Sequence, residues 1–181
     1  MDIDFRRLTT QEDAQKYREI RLECLKNYPQ SFASSYENQS KLAELVFEKY
    51  ILENNPANFV VGAFDGDQLI GISAFAQEPK AKRAHEGSII QVYIKATYQG
   101  RHIGKDLLNF VIQAAFEIPT IEQLIISAVT ENKGALHLYQ HLGFEPYGTH
   151  KHYMKTSDGQ YYDVTFMYLD KSTFLKNEKN G

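Results

Sequence analysis

The sequence predicts an α/β fold in which helices cover both faces of a mixed, mostly antiparallel sheet. Its length of 181 residues suits one domain with a core of its own. Strand and helix patterns follow one another in the order β-αα-βββ-α-β-α-ββ. One β-α-β unit requires a parallel strand pair, and the hairpins require antiparallel pairs. We therefore expect a three-layer domain over residues 1–170, followed by a polar C-terminal tail over 171–181.

The N-terminal third is predicted to hold one strand and two helices. Apolar residues from Ile3 to Leu8 predict a short strand. A first helix begins near Thr10, whose hydroxyl can cap it, and ends before Pro29. A second helix is predicted over Lys41–Glu53, before an Asn-Asn-Pro run. The apolar residues that recur at helical spacing in the first helix are Tyr17, Ile20, Cys24 and Leu25.

The middle of the chain predicts three strands and a helix. The strands Asn58–Phe64 and Gln68–Gln77 flank Asp65-Gly66-Asp67, a turn sequence typical of a hairpin. A third strand covers Gly87–Lys95. The helix that follows, Ile103–Glu117, has apolar residues at every fourth position and ends before a proline.

The last third predicts a strand, a short helix and a closing hairpin. The strand Ile121–Val129 completes the β-α-β unit, and the helix Lys133–Leu142 ends before a glycine. Two final strands, Phe144–Met154 and Tyr161–Asp170, lie on either side of the turn Ser157-Asp158-Gly159. These elements complete the predicted order.

Composition and charge exclude several classes of protein. Twenty basic and 23 acidic side chains give a formal charge of −3, so no global field attracts DNA or an anionic membrane. The single cysteine, Cys24, rules out an internal disulfide and a zinc finger. The N-terminus lacks a signal-peptide core, and no apolar run approaches the roughly 20 residues that span a bilayer. We expect a cytoplasmic protein with no nucleic-acid or membrane partner.

A short basic loop with glycines joins the third strand to the helix after it. This arrangement aims unpaired N–H groups and the helix dipole at one point, which favours phosphate or pyrophosphate. Gly100 and Gly104 are too close for a Walker loop, and Asp106 replaces its magnesium-binding Ser or Thr, so a nucleotide-binding enzyme is not favoured. The residues of this predicted anion site are Gln99, Gly100, Arg101, His102, Ile103, Gly104 and Lys105.

A second segment, residues 132–144, follows the next predicted strand, and each of the two segments fits a sequence pattern. The first segment, residues 99–104, fits [QR]-x-x-G-x-[GA], with His102 where glycine is usual. Together, at this spacing, the two segments resemble the GNAT superfamily of acyl-CoA-dependent N-acetyltransferases, and the element order matches that fold over nearly the whole chain. The residues that fit the second pattern, N-x-x-A-x-x-x-Y-x-x-x-G-F, are Asn132, Ala135, Tyr139, Gly143 and Phe144.

The resemblance implies an acetyltransferase that uses acetyl-CoA as cosubstrate and needs no metal. A primary amine is implied to attack the thioester directly, in a ternary complex. Backbone N–H groups of residues 100–105 are implied to hold the pyrophosphate, Asn132 to hydrogen-bond the cofactor, and Tyr139 to protonate the leaving thiolate. The resemblance also implies that a strand pairs with the pantetheine arm and that a bulge separates this strand from its neighbour. That strand contains Val92, Tyr93 and Ile94.

The base that deprotonates the amine is assigned by analogy alone. Some family members place a glutamate on the strand before the Asn132 segment, where this chain has Ser127. Glu86 is the predicted base, and Glu78 and His85 are the alternatives near the central strands. Each of the three is also consistent with a solvated surface residue.

Several alternatives stay open. The fold also suits a non-catalytic acyl-CoA sensor. The acceptor class is open among polyamines, aminoglycosides, amino-acid derivatives, other small amines and protein amines. Residues 27–37 either line the acceptor pocket or merely connect two helices, and the final hairpin either covers that pocket or forms a homodimer contact. The paired histidines, which are not predicted to bind a metal, are His137, His141, His150 and His152.

Overall fold

The computed structural model describes residues 2–180, and the side chains of residues 2–177. Short 3₁₀ turns lie at Pro29–Ser31, Ala81–Arg83 and Ala96–Tyr98. The strands are β1 (Ile3–Arg7), β2 (Asn58–Asp65), β3 (Gln68–Gln77), β4 (Glu86–Ile94), β5 (Gln123–Val129), β6 (Glu145–Lys155) and β7 (Tyr161–Asp170). The helices are α1 (Gln11–Asn27), α2 (Tyr36–Gln39), α3 (Val46–Leu52), α4 (Ile103–Phe116), α5 (Lys133–His141) and α6 (Lys171–Asn180).

The strands form a seven-stranded sheet in the order β1-β2-β3-β4-β5-β7-β6. Neighbouring strands are antiparallel except β4 and β5, which are parallel and joined through α4. The predicted mixed, mostly antiparallel sheet is therefore confirmed. The parallel pair lies at its centre, as the β-α-β unit required.

Helices pack on both faces of the sheet, so the core has two parts. On one face, α4 and α5 cover a cluster that includes Val61 and Leu107. On the other face, α1 and α3 cover a cluster that includes Tyr17 and Val60. Adjacent residues of β2, Val60 and Val61, are fully buried on opposite faces, since successive strand side chains alternate. The three-layer prediction is confirmed.

The predicted second helix, Lys41–Glu53, is wrong in its extent. Within that range only α3 is helical, and the short helix α2 lies before it. The guanidinium of Arg18 on α1 donates to the backbone carbonyls of Leu42 and Ala43, and it forms an ion pair with Glu48 at 2.7 Å. These contacts with α1 hold the segment outside a helical hydrogen-bond ladder, which local propensity alone does not reveal.

The segment predicted as a polar tail is helical from Lys171 to Asn180, and Gly181 lies outside the described residues. The ring of Phe174 packs 5.3 Å from that of Phe116, measured between centroids. Lys171 Nζ also donates to the carbonyl of Phe116. One apolar and one polar contact therefore fasten α6 to the end of α4.

Candidate active site

A gap opens between the two parallel strands at the centre of the sheet. β4 and β5 pair only at Glu86–Gln123, Gly87–Leu124 and Ser88–Ile125. Beyond these pairs both strands continue, to Ile94 and Val129, without pairing to each other. The backbone groups along the gap side of β4 are therefore available to a ligand.

A β-bulge in β4 explains why the strands separate. Ile72 of β3 lies opposite Tyr93, whereas Ala74 lies opposite Ile90, so two residues of β4 face the single residue Ser73. Gln91 takes a left-handed conformation there, with φ +57°. A bulge bends its strand and increases the local twist, which turns the end of β4 away from β5.

The basic loop and the first turn of α4 border a cavity of about 490 Å³. Gly100 and His102 both have positive φ, +76° and +62°, and His102 is the N-cap of α4 without a side-chain cap. The loop thus turns twice through left-handed conformations and leaves the N-terminal N–H groups of α4 directed outward. The other residues along the cavity include Ile94, Gln99, Gly104, Lys105, His137 and Leu138.

Gly104 leaves the first turn of α4 without a side chain at the border of this cavity. A Cβ added at Gly104 would lie 3.8 Å from both Ile94 Cγ1 and Leu138 Cδ2, so the backbone of α4 runs close to β4 and α5. A hydrogen bond also connects the loop to the end of β4, because Gln99 Nε2 donates to the carbonyl of Ile94 at 3.0 Å. A helix N-terminus with two nearby basic residues, Arg101 and Lys105, favours an anion.

Helix α5 brings the second predicted segment to the gap. Asn132 is its N-cap, and Asn132 Oδ1 accepts from the backbone N–H of Ala135 at 3.1 Å, which leaves the amide N–H groups of Asn132 for another acceptor. Tyr139 is 5% exposed, and its ring lies 6.4 Å from that of Phe144. Burial raises the pKa of Tyr139 above its ordinary value, so the phenol is protonated at neutral pH.

A second cavity, of about 420 Å³, lies where β4 and β5 diverge. Tyr139 and Asn132 line it from α5, and Ser127 lines it from β5. Leu138 borders both cavities, so they meet at this side chain. Other walls come from β4, from Arg21 of α1, from the Ser31–Ser34 loop and from the hairpin residues Tyr153 and Met154. One cavity thus suits an anion and an extended chain, and the other suits a small molecule beside a phenol.

Comparison with known families shows which family the chain belongs to. The family model described as an acetyltransferase (GNAT) domain matches residues 7–166. The chain belongs to the GNAT acetyltransferase family. The predicted family, and an N-acetyltransferase that uses acetyl-CoA, are therefore confirmed.

Named relatives are similar over most of the acetyltransferase. It is 28% identical over 150 residues to a spermidine N(1)-acetyltransferase of Vibrio cholerae, covering 82% of each chain. It is 24% identical over 148 residues to the spermidine N(1)-acetyltransferase of Escherichia coli K12, covering 82% of this chain and 76% of that one.

Solved structures share the fold of this acetyltransferase. A putative acetyltransferase of Salmonella typhimurium, yncA, solved with acetyl-CoA, superimposes with a TM-score of 0.77 at 16% identity, covering 94% of each chain. The Vibrio cholerae spermidine N-acetyltransferase, solved with CoA and spermine, gives a TM-score of 0.73 at 21% identity, covering 96% of this chain and 98% of that one.

The structure does not bring the predicted base, Glu86, to the cavities of the acetyltransferase. Glu86 lies at the closed end of β4, where its carboxylate binds the Arg83 guanidinium at 2.8 Å. This hydrogen bond lowers the pKa of Glu86, which makes the carboxylate a weaker base. Glu78 also pairs with Arg83, at 3.3 Å, and His85 lies 3.8 Å from Glu86. All three form one surface cluster, and none of them lines either cavity.

Four histidines of the acetyltransferase lie along α5 and the final hairpin. His137 and His141 stack edge to face at 4.3 Å on the border of the larger cavity, and His141 Nδ1 donates to the carbonyl of His137. His150 and His152 contact the rings of Tyr153 and Tyr161. Among residues 2–177, no group of three or more His, Cys, Asp or Glu side chains is arranged to hold a metal ion.

Sequence reasoning missed Arg21, a side chain of the smaller cavity. It lies on α1 and is 3% exposed. The only sequence signal was its position between Ile20 and Cys24, on the apolar stripe of α1, where a charge is unusual.

Among the helices that the structure describes, none is long and apolar enough to cross a bilayer.

Proposed function

We propose that this acetyltransferase moves acetyl from acetyl-CoA to a primary amine by direct attack, with both molecules bound at once. One observation carries the proposal: two cavities meet at Leu138, where β4 and β5 separate. A donor in one cavity and an acceptor in the other would bring thioester and amine together. Holding two reactants in contact removes much of the entropic barrier to a bimolecular reaction.

Acetyl-CoA would be held mainly by backbone groups and less by side chains. The N–H groups of residues 100–105 would bind the pyrophosphate, helped by the dipole of α4. The unpaired edge of β4, from Val92 to Ile94, would pair with the pantetheine arm as an added strand does. The free amide N–H groups of Asn132 would complete the contacts near the reacting end. Acetyl-CoA itself supplies an activated acyl group and leaves as CoA.

Two groups of the chain would serve the chemical step. The amine nitrogen bonds to the thioester carbon, and negative charge develops on the carbonyl oxygen, which the Val92 N–H at the bulge would stabilise. When the carbon–sulfur bond breaks, the thiolate needs a proton. Tyr139, which is protonated and lines the cavity, would donate it from its hydroxyl and recover it from solvent.

The amine would lose its proton without a carboxylate or imidazole base. Within the described residues, the lining of the smaller cavity contains no Asp, Glu or His. We therefore assign deprotonation to water, so that the amine binds neutral or loses its proton to solvent through the cavity. Glu86 is not part of this scheme, because Arg83 holds it at the closed end of β4.

The test is Tyr139→Phe, which removes the hydroxyl and keeps the ring. Single-turnover transfer should fall about 10²–10⁴-fold, while acetyl-CoA affinity stays close to that of the unmodified protein. The melting temperature should change little, because no described side chain hydrogen-bonds this hydroxyl. Tyr168→Phe is the matched control, since its hydroxyl binds Glu145 on the surface.

Full single-turnover activity in Tyr139→Phe would remove Tyr139 from the mechanism. A non-catalytic acyl-CoA sensor predicts a different result: acetyl-CoA binds, and no amine in a broad panel releases thiol from it. Measurements of acetyl-CoA binding and thiol release on the same purified protein distinguish the enzyme from the sensor.

A further inference from the structure

Arg21 carries a buried positive charge into the smaller cavity. It is 3% exposed and lines that cavity from α1. Its Nε donates to Gln39 Oε1 at 3.2 Å, its Nη1 contacts Cys24 Sγ at 3.6 Å, and its guanidinium lies 5.1 Å from the ring centre of Phe32. All three partners are neutral. Among the residues whose side chains are described, no carboxylate forms an ion pair with Arg21.

The other arginines packed around α1 are paired, which shows that Arg21 is different. Arg18, one turn earlier on the same helix, binds the Glu48 carboxylate at 2.7 Å. Arg6 binds the carboxylate of Asp13 at 2.8 Å. Arg21 is more deeply buried than either of them and has no such partner. An arginine does not become neutral in proteins, so its burial without a counter-charge is costly unless a ligand compensates it.

The rest of the cavity is neutral, which fixes the sign of its charge. Its polar side chains include Ser34, Gln91 and Ser127, and it contains no carboxylate among the described residues. Gln91 Oε1 already accepts from the Tyr17 hydroxyl at 2.9 Å. A polyamine is a multiply charged cation, and this cavity offers it one cation and no anion. A ligand with its own negative charge is favoured instead.

We infer that the acceptor is a small amine that also carries a carboxylate, and that Arg21 binds this carboxylate. The inference rests on the proposed acetyl transfer, and it names the substrate class for the same cavity. A guanidinium matches a carboxylate with two parallel hydrogen bonds, so Arg21 would select an acceptor that carries this group. The volume of about 420 Å³ suits a free amino acid. The inference separates this chain from the spermidine acetyltransferases it resembles.

The experiment compares acceptors that differ only in the carboxylate. Ornithine is paired with putrescine, lysine with cadaverine, and each of the remaining amino acids with its amide; β-alanine, a dipeptide and spermidine complete the panel. Transfer is followed by thiol release, and binding by calorimetry on the CoA-saturated protein. We expect at least a 10-fold higher kcat/KM for carboxylated acceptors, and the amino acid, β-alanine and dipeptide arms identify which kind is used.

Substitution of Arg21 assigns the preference to this side chain. Arg21→Met should raise KM for the best carboxylated acceptor about 10–100-fold, the loss of one charge-assisted pair. It should leave kcat and acetyl-CoA affinity nearly unchanged, and it should not alter KM for the matched amide. Arg21→Lys should restore part of the affinity. Lys26→Met is the control, because Lys26 is an exposed cation of the same helix that lines neither cavity.

The outcomes separate the inference from the function on which it rests. If kcat/KM for spermidine or for the amides equals that for the carboxylated acceptors, the inference is wrong and acetyl transfer remains intact. Two other results would also overturn the inference: acetyl-CoA binds but no carboxylated amine binds saturably, or Arg21→Met keeps the same preference for carboxylated acceptors. If Arg21→Met does not fold, Arg21→Lys and the unmodified protein still decide between these results. Failure to bind acetyl-CoA at all would overturn the proposed function itself.

Discussion

A negative charge at Gly104 should weaken acetyl-CoA binding without unfolding the protein. Gly104 is the second residue of α4, and a Cβ there makes only ordinary contacts at 3.8 Å. An acidic side chain in the first turn also stabilises a helix, by about 0.3–1 kcal/mol. Gly104→Asp should therefore fold at least as well as the unmodified protein. Its carboxylate would lie where the pyrophosphate is proposed to bind.

The size of the effect follows from Coulomb's law. Two like charges 4 Å apart repel by about 1 kcal/mol in water and about 4 kcal/mol at an effective dielectric constant of 20. The cavity is open to solvent on one side, so its effective dielectric constant lies between these two values. Acetyl-CoA affinity should therefore fall by a factor between about 5 and several hundred. Gly104→Asn is the matched control, because it adds nearly the same volume without the charge.

The assay is calorimetric titration of acetyl-CoA into Gly104→Asp, Gly104→Asn and the unmodified protein at two salt concentrations. The difference between Asp and Asn measures the charge, and it should shrink at high salt, because ions screen the repulsion. Equal affinities for the two variants, in samples with equal melting temperatures, would refute the assignment of residues 100–105 to the pyrophosphate.

Three further predictions concern strain, acid stability and the pH dependence of transfer. His102→Gly should raise the melting temperature by about 1–4 °C in a thermal scan, since left-handed backbone costs a non-glycine residue about 1–2 kcal/mol and glycine returns part of this through a freer unfolded chain; a lower value would contradict strain at φ +62°. Burial alone would raise the pKa of Asp13, but hydrogen bonds from Arg6 and from the N–H groups of residues 9 and 10 outweigh it and hold this pKa far below its usual range. Asp13→Asn should therefore cost about 2 kcal/mol in urea unfolding at neutral pH, and the difference should shrink below about pH 4, where the carboxylate of the unfolded chain takes up a proton before the native one does; a constant difference would contradict this linkage. Finally, kcat/KM should rise with pH along the ionisation of the acceptor amine and shift with that amine's pKa across acceptors, whereas a fixed inflection between pH 6 and 7 would indicate a base on the protein.

The sequence was sufficient for the features that depend on local patterns. The β-α-β unit required a parallel pair, and the two motifs placed a loop and a helix at its open end, where Gly104 and Tyr139 now line cavities. The positive φ of His102 also follows from a position where glycine is usual. In each case the information lay within a few residues of the feature, so no knowledge of distant contacts was needed.

What the sequence did not supply depends on contacts between distant segments. Residues 41–45 are not helical, and their contacts with Arg18, which is far away in sequence, do not show in a local pattern. Glu86 lies near the central strands in sequence, but only the register shows that it is at the closed end of β4. Arg21 occupies an apolar stripe, and periodicity cannot tell whether such a charge is paired, exposed or facing a cavity.

The gap between β4 and β5 also gives this protein a free strand edge in the middle of a sheet. Unpaired edges are normally found at the outside of a sheet, where they invite another chain to pair and aggregate. Here the gap-side edge of β4 borders a cavity that Arg21 of α1 and Tyr139 of α5 also line, so helices from both faces of the sheet flank it. The protein therefore keeps a hydrogen-bonding edge inside its own fold, where it faces a ligand cavity rather than the outside of the sheet.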